Sequence, residues 1–145
     1  MIQRIQSIYL LIASLLSAVL THKLSLWYTI KSNKVVYAFD LLFETSIFQQ
    51  IIPLLFYGSA IISLASIFLF KNRQLQFSLG RLNLLINLFL LGLLFFLSLT
   101  LTGDAEVSDK GLGMFIPFLV ILLIILANKA IKKDEELVKS VDRLR

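Results

Sequence analysis

The 145-residue sequence contains no cysteine. Disulfides, thiolate metal sites, redox motifs and cysteine nucleophiles are therefore excluded, and the redox compartment is left open. It contains a single histidine, His22, so no histidine-based metal cluster can form within one chain. Charged residues make up only 16% of the chain, against about 25% in a typical soluble domain. Hydrophobic residues make up 58%, above the roughly 45–50% of soluble domains, and mean hydropathy is +0.87. A chain this short has too little interior to hide so much apolar surface from water. The composition excludes an ordinary globular enzyme and a disordered chain, and it points to lipid as the solvent.

Four apolar runs organise the chain: 5–21, 51–70, 82–102 and 114–131. A bilayer core of ~30 Å takes about 20 helical residues at ~1.5 Å each. The runs meet that length, the first and fourth once their flanking residues are included. Apolar residues surround each run on all sides, as in membrane spans rather than surface helices. Met1-Ile2-Gln3-Arg4 and the run behind it also resemble a signal peptide. Leu16-Ser17-Ala18 and Val19-Leu20-Thr21 fit a cleavage site poorly, so an uncleaved first helix is expected. The expected helices span about 4–22, 46–71, 79–102 and 112–133, with a helical tail from about 132 to 145.

Lysine and arginine orient the bundle, because positively charged loops stay cytoplasmic. With the N-terminus inside, ten of these residues fall on the inner side and four on the outer side: Lys23, Lys31, Lys34 and Lys110. The connection 71–78 is short and free of acids; it predicts an antiparallel helix pair and a cytoplasmic turn. Both termini are expected in the cytoplasm. The net charge of +5 is thus read as topology, with no nucleic-acid partner. The longest outer segment carries SLWYTI and VVYAF around Lys31-Ser32-Asn33-Lys34. Aromatic and β-branched runs flanking a turn predict a small extracytoplasmic β-hairpin between helices one and two, with Trp27, Tyr28 and Tyr37 at headgroup level. Residues 41–50 are expected to begin the second helix. The second outer segment, 102–111, holds three acids without the spacing of a calcium loop, and is read as a solvated polar loop.

No Asp, Glu, Lys, Arg or His lies in the central part of any run. Ionisable residues at depth mark proton relays and coupled transport, and catalysis there needs a titratable group. Their absence argues against both. What polarity remains is uncharged. Asn83 and Asn87 share one face of helix three; Ser59, Ser63 and Ser66 share a face of helix two, and Ser7, Ser14 and Ser17 one of helix one. Small and amide side chains at such spacing act as helix-packing contacts in membranes, with a bundle binding site as the alternative. His22 and the pair Asp40 and Glu44 are given no chemical role. On the inner side, Arg73 and Arg81 flank the acid-free turn. Asp134 and Glu135 open a tail whose Leu137, Val141 and Leu144 form an apolar stripe. These residues make a candidate cytoplasmic contact surface, for this chain or for another.

The opening MIQRIQSIYLLIA, the middle IFLFKNRQLQFSLGRLNLLIN and the ending ANKAIKKDEELVKSVDRLR resemble a family of small bacterial membrane proteins described as Domain of Unknown Function 4293. The resemblance implies four membrane helices in the bacterial cytoplasmic membrane and supplies no activity, substrate or cofactor. The expected fold is therefore an all-α membrane protein, a four-transmembrane-helix bundle with the outer hairpin. The expected role is non-enzymatic: a structural, accessory or assembly subunit, partnered by the lipid bilayer and by other membrane proteins or itself, with no cofactor. A small transporter or channel-like protein for an apolar or lipid-like solute is the alternative.

Overall fold

The computed structural model describes residues 5–29, 34–103 and 107–143, with side chains except those of 29, 34, 101–103, 107–109 and 141–143. Four helices dominate: α1 (Ile5–Lys23), α2 (Ile47–Phe68), α3 (Arg73–Gly103) and α4 (Ile116–Arg143). All four are long and apolar enough to cross a membrane. Three short strands follow the turns at one end: β1 (Trp27–Thr29), β2 (Lys34–Val36) and β3 (Val107–Lys110). One helical turn precedes α2 at Asp40–Phe43 and another precedes α4 at Leu112–Phe115.

The helices pair because each buries one narrow stripe. In α3 the stripe runs through Gln76, Gly80, Asn83, Asn87, Leu90, Leu94 and Leu97, with Ser98 buried beside its end; its steps alternate between four and three. That spacing keeps one face toward its neighbours along the whole helix. In α2 the stripe is Ile52, Phe56, Ser59, Ser63 and Ser66. In α4 it runs through Ile116, Val120, Ile124, Ala127 and Ile131. Consecutive helices are antiparallel neighbours, and α4 closes the ring against α1. The remaining apolar side chains point outward, among them Ile61, Leu85, Phe89, Phe95 and Phe96.

Several boundaries depart from expectation. The third helix starts at Arg73, not near 79, so the turn between α2 and α3 shrinks to about four residues. Asn72 Oδ1 accepts from the Leu75 backbone N–H at 3.2 Å. This cap starts the helix where hydropathy alone sees a loop. Of residues 41–50, only 47–50 belong to α2; the turn at Asp40–Phe43 ends, and α2 begins afresh at Ile47. Within α1, Leu16–Leu20 widens into a π-helical segment. Thr21 Oγ1 donates to the Ser17 carbonyl at 3.0 Å and to that of Ala18 at 3.2 Å, meeting acceptors that the wider turn loosens. The tail continues α4 without a break to Arg143.

The strands form one antiparallel sheet in the order β2-β1-β3. Trp27 lies opposite Val36 on one side and Lys110 on the other. The hairpin β1–β2 thus forms in the expected segments; its turn, Lys31-Ser32-Asn33, lies outside the described residues. The third strand corrects the reading of 102–111 as a solvated loop, although its acids Asp104 and Glu106 lie outside the described residues. The pairing is set by tertiary structure: β1 keeps an open edge after pairing with β2, and residues 107–110 fill it. The Gly111 N–H donates to the Leu26 carbonyl and the Gly113 N–H to that of Ser25, both at 2.8 Å. A Cβ on Gly111 would collide with the Ser25 backbone carbonyl, so this crossing needs glycine. Trp27, expected at headgroup level, is enclosed by protein. It is only 3% exposed and packs with Leu26, Ala38 and Leu41 onto the ends of the helices. The indole is thus a member of the core and not an exposed ring.

Candidate functional site

The buried stripes of α2 and α3 change character along their length. Toward the sheet they are mainly apolar, with Ile52 and Phe56 from α2 and Leu90, Leu94 and Leu97 from α3, Ser98 being the polar exception. Toward the tail they are polar, and the structure brings all four expected packing residues together. Asn83 Nδ2 donates to Ser63 Oγ at 2.7 Å and to the Ser59 carbonyl at 3.2 Å. Asn87 Nδ2 donates to Ser59 Oγ at 2.7 Å, and to the carbonyl and Oδ1 of Asn83 at 2.9 and 3.0 Å. All four residues are buried to within 1% of full enclosure.

Sequence reading missed how far this seam extends. Gln76 Nε2 donates to the Ser66 carbonyl at 3.0 Å, adding a rung nearer the tail. Gln76 lies outside the apolar run, in what reads as a loop; the steps 76, 80, 83 and 87 are the signal that would have found it. On the other flank of α2, Ser14 Oγ donates to the Ala60 carbonyl at 3.1 Å, so the helix-one serines contribute one α1–α2 bond. Between α3 and α4, Gly80 faces the Asn128 side-chain amide. The bundle interior also has unmet capacity. Among the described residues, Gln6 Nε2, Gln76 Oε1, Asn87 Oδ1 and Asn128 Oδ1 are buried without a hydrogen-bond partner. Each such atom costs about 1–3 kcal/mol, so the seam's contribution is a net of bonds made and unmade. Its amides and hydroxyls do not titrate near neutral pH. They join helices.

The tail face is less tightly assembled. Arg73 Nη1 donates to the Asp134 backbone carbonyl at 2.8 Å, tying the start of α3 to the far part of α4 through the main chain. Arg81 turns away and stacks over the Phe77 ring, 4.4 Å from its centroid. Glu135 pairs with Lys139 at 2.7 Å; that hydrogen bond, and then the lysine's charge, hold the Glu135 carboxyl below the usual carboxylate range. Leu137 is 57% exposed, so the tail stripe does not fold back here onto the described residues. The Val141 side chain and Leu144 lie outside them. At the opposite end, His22 Nε2 and Tyr57 Oη are 2.6 Å apart, and the His22 ring also contacts Phe39. This cluster joins residues 35 positions apart and leaves no trace in local spacing. Among the described residues, no three His, Asp or Glu side chains gather as metal ligands.

The family model described as Domain of unknown function (DUF4293) matches residues 2–144. The chain belongs to this family. No curated protein and no solved structure matches it. The DUF4293 match takes in the α2–α3 seam, the sheet and the tail face alike. It assigns no activity to any of them, so what this DUF4293 chain does rests on its geometry.

Proposed function

We propose that this chain is a multi-pass protein of the bacterial cytoplasmic membrane with both termini in the cytoplasm, and that it serves there as a non-enzymatic structural, accessory or assembly subunit. Insertion is supported by the ring of outward apolar side chains on helices of spanning length, a surface that soluble proteins do not carry. Orientation is supported by the ten-to-four distribution of lysine and arginine. One observation carries the role. Ser59, Ser63, Asn83 and Asn87 direct their donors into one another and into backbone carbonyls, making the deepest polar feature a joint between helices. A joint suits a scaffold, whereas a reaction centre needs a titratable group and a path needs polar groups free to meet the solute. The exposed, charged tail face is then the surface for other membrane proteins or for a second copy.

Native electrophoresis tests the role. Solubilised from its own membrane in mild detergent, the 16.5 kDa chain is expected to migrate in an assembly larger than the monomer. Replacing exposed Leu137 and Val138 with serine is expected to shift it to the monomer while insertion persists. A monomer before substitution, or an assembly indifferent to it, contradicts the role. The transporter reading draws on one feature, an apolar recess between α3 and α4. Exposed Phe95 and Phe118 line that recess, so it opens sideways from the bundle.

A further inference from the structure

We infer that this lateral recess is a binding site for one anionic glycerophospholipid, an acyl chain lying between α3 and α4 and the phosphate meeting Lys110. The inference rests on the membrane reading above. The recess encloses about 400 Å³, within the roughly 300–1,000 Å³ range of small-molecule sites. Leu91, Leu94 and Phe95 come from α3; Met114 and Phe118 come from the start of α4 and the turn before it. Leu94 is buried while Phe95 and Phe118 are exposed, so the recess deepens from an open side toward the core. An unfilled apolar recess forfeits dispersion contacts along its walls. A flexible hydrocarbon chain restores them, and Met114 is an adaptable wall for it.

The charge argues for the head group. Among the described residues that line the recess, Lys110 is the charged one, and it is exposed. It ends β3, just before the chain turns into α4. In the membrane reading that is the level where hydrocarbon gives way to head groups, so an ammonium stands beside the phosphate of a lipid whose tail fills the recess. A neutral hydrocarbon offers the ammonium no phosphate to meet, and a free anion would leave the recess empty. Both halves are met by one molecule with an apolar tail and an anionic head.

Native mass spectrometry of the full-length protein, released from bilayer discs with equal phosphatidylglycerol and phosphatidylcholine, tests this. One phosphatidylglycerol per chain is expected to be retained, preferred by about fivefold, the effect of one lysine near a membrane surface. Lys110→Ala is expected to abolish the preference. Leu91→Trp, which fills the recess, is expected to remove the retained lipid of both kinds, and Lys23→Ala, at the same end on α1, to change neither. Equal retention of the two lipids by the wild type, a preference that survives Lys110→Ala, or lipid that survives Leu91→Trp would overturn the site. A dimer dissolved by Leu91→Trp would assign the recess to a second copy and overturn it too. Resistance to alkaline carbonate extraction is measured beside it. Extractable wild-type protein brings down the membrane reading and the site together; resistant protein without selective lipid brings down the site alone.

Discussion

At the scale of single residues, Asn83 and Asn87 decide how α2 and α3 meet. Each amide reaches across to a serine one turn along the partner helix, so the two asparagines and the two serines set the register. In hydrocarbon such a bond is worth on average about 0.6 kcal/mol, because alternative partners exist in the inserted but unpacked state. Ser63→Ala should therefore cost only about that much by thermal or denaturant melting in detergent. Ser63 is fully buried, so Ser63→Leu should cost more, about 1–3 kcal/mol, by overpacking. If both substitutions melt like the wild type, the seam does not hold the helices. The pairing of Asn83 with Asn87, and of Ser59 with Ser63, is legible from steps of four. Their contact with each other is not legible from spacing, since only tertiary packing selects which polar stripe meets which. Gln76 and Gly80 were hidden for a different reason: they lie just before the third apolar run, where hydropathy falls and helix and loop look alike. Arg81 shows the limit of charge matching. An exposed guanidinium gains little from a distant carboxylate, and it lies on its own helix over Phe77.

At the scale of elements, hydropathy locates helices well and their ends poorly. The four long helices follow from run length alone. Arg73–Ser78 became helix because its inward face, through Gln76, continues the α3 stripe and binds Ser66. The hairpin strands were legible from Trp27, Tyr28, Val35 and Val36; β3 was not, since only Val107 among its four residues favours a strand. Its place is fixed by Gly111, which lets the backbone cross Ser25. Gly111→Val is expected to break the β1–β3 pairing and lower stability by about 1–3 kcal/mol. The check is melting together with faster protease cleavage in 104–113. Unchanged melting and cleavage would mean that the sheet does not depend on this crossing. The π-helical segment of α1 has no counterpart in the apolar pattern, which is continuous through Leu16–Leu20.

At the scale of the whole molecule, two features combine. Polarity inside the bundle goes largely into helix contacts, with a few buried acceptors and donors left unmet, and the outer surface is apolar around all four helices. The sheet ties the two connections at one end, Arg73 ties α3 to α4 at the other, and both described chain ends lie with Arg73. The fold was readable because a run of about 20 apolar residues has few uses. The role was not, because neither the runs nor the polar stripes contain a motif that names a reaction or a partner. The central claim is therefore a multi-pass chain with its tail face in the cytoplasm, and the lack of cysteine makes it directly measurable. Single cysteines are placed by Lys23→Cys at the sheet end and by Lys71→Cys and Lys139→Cys at the tail end, and intact cells, their outer membrane made permeable where one is present, are treated with a membrane-impermeant maleimide. The account predicts labelling at residue 23 alone, with residues 71 and 139 labelled only after the cytoplasmic membrane is opened. Labelling of both ends in intact cells, or of the tail end alone, would contradict it.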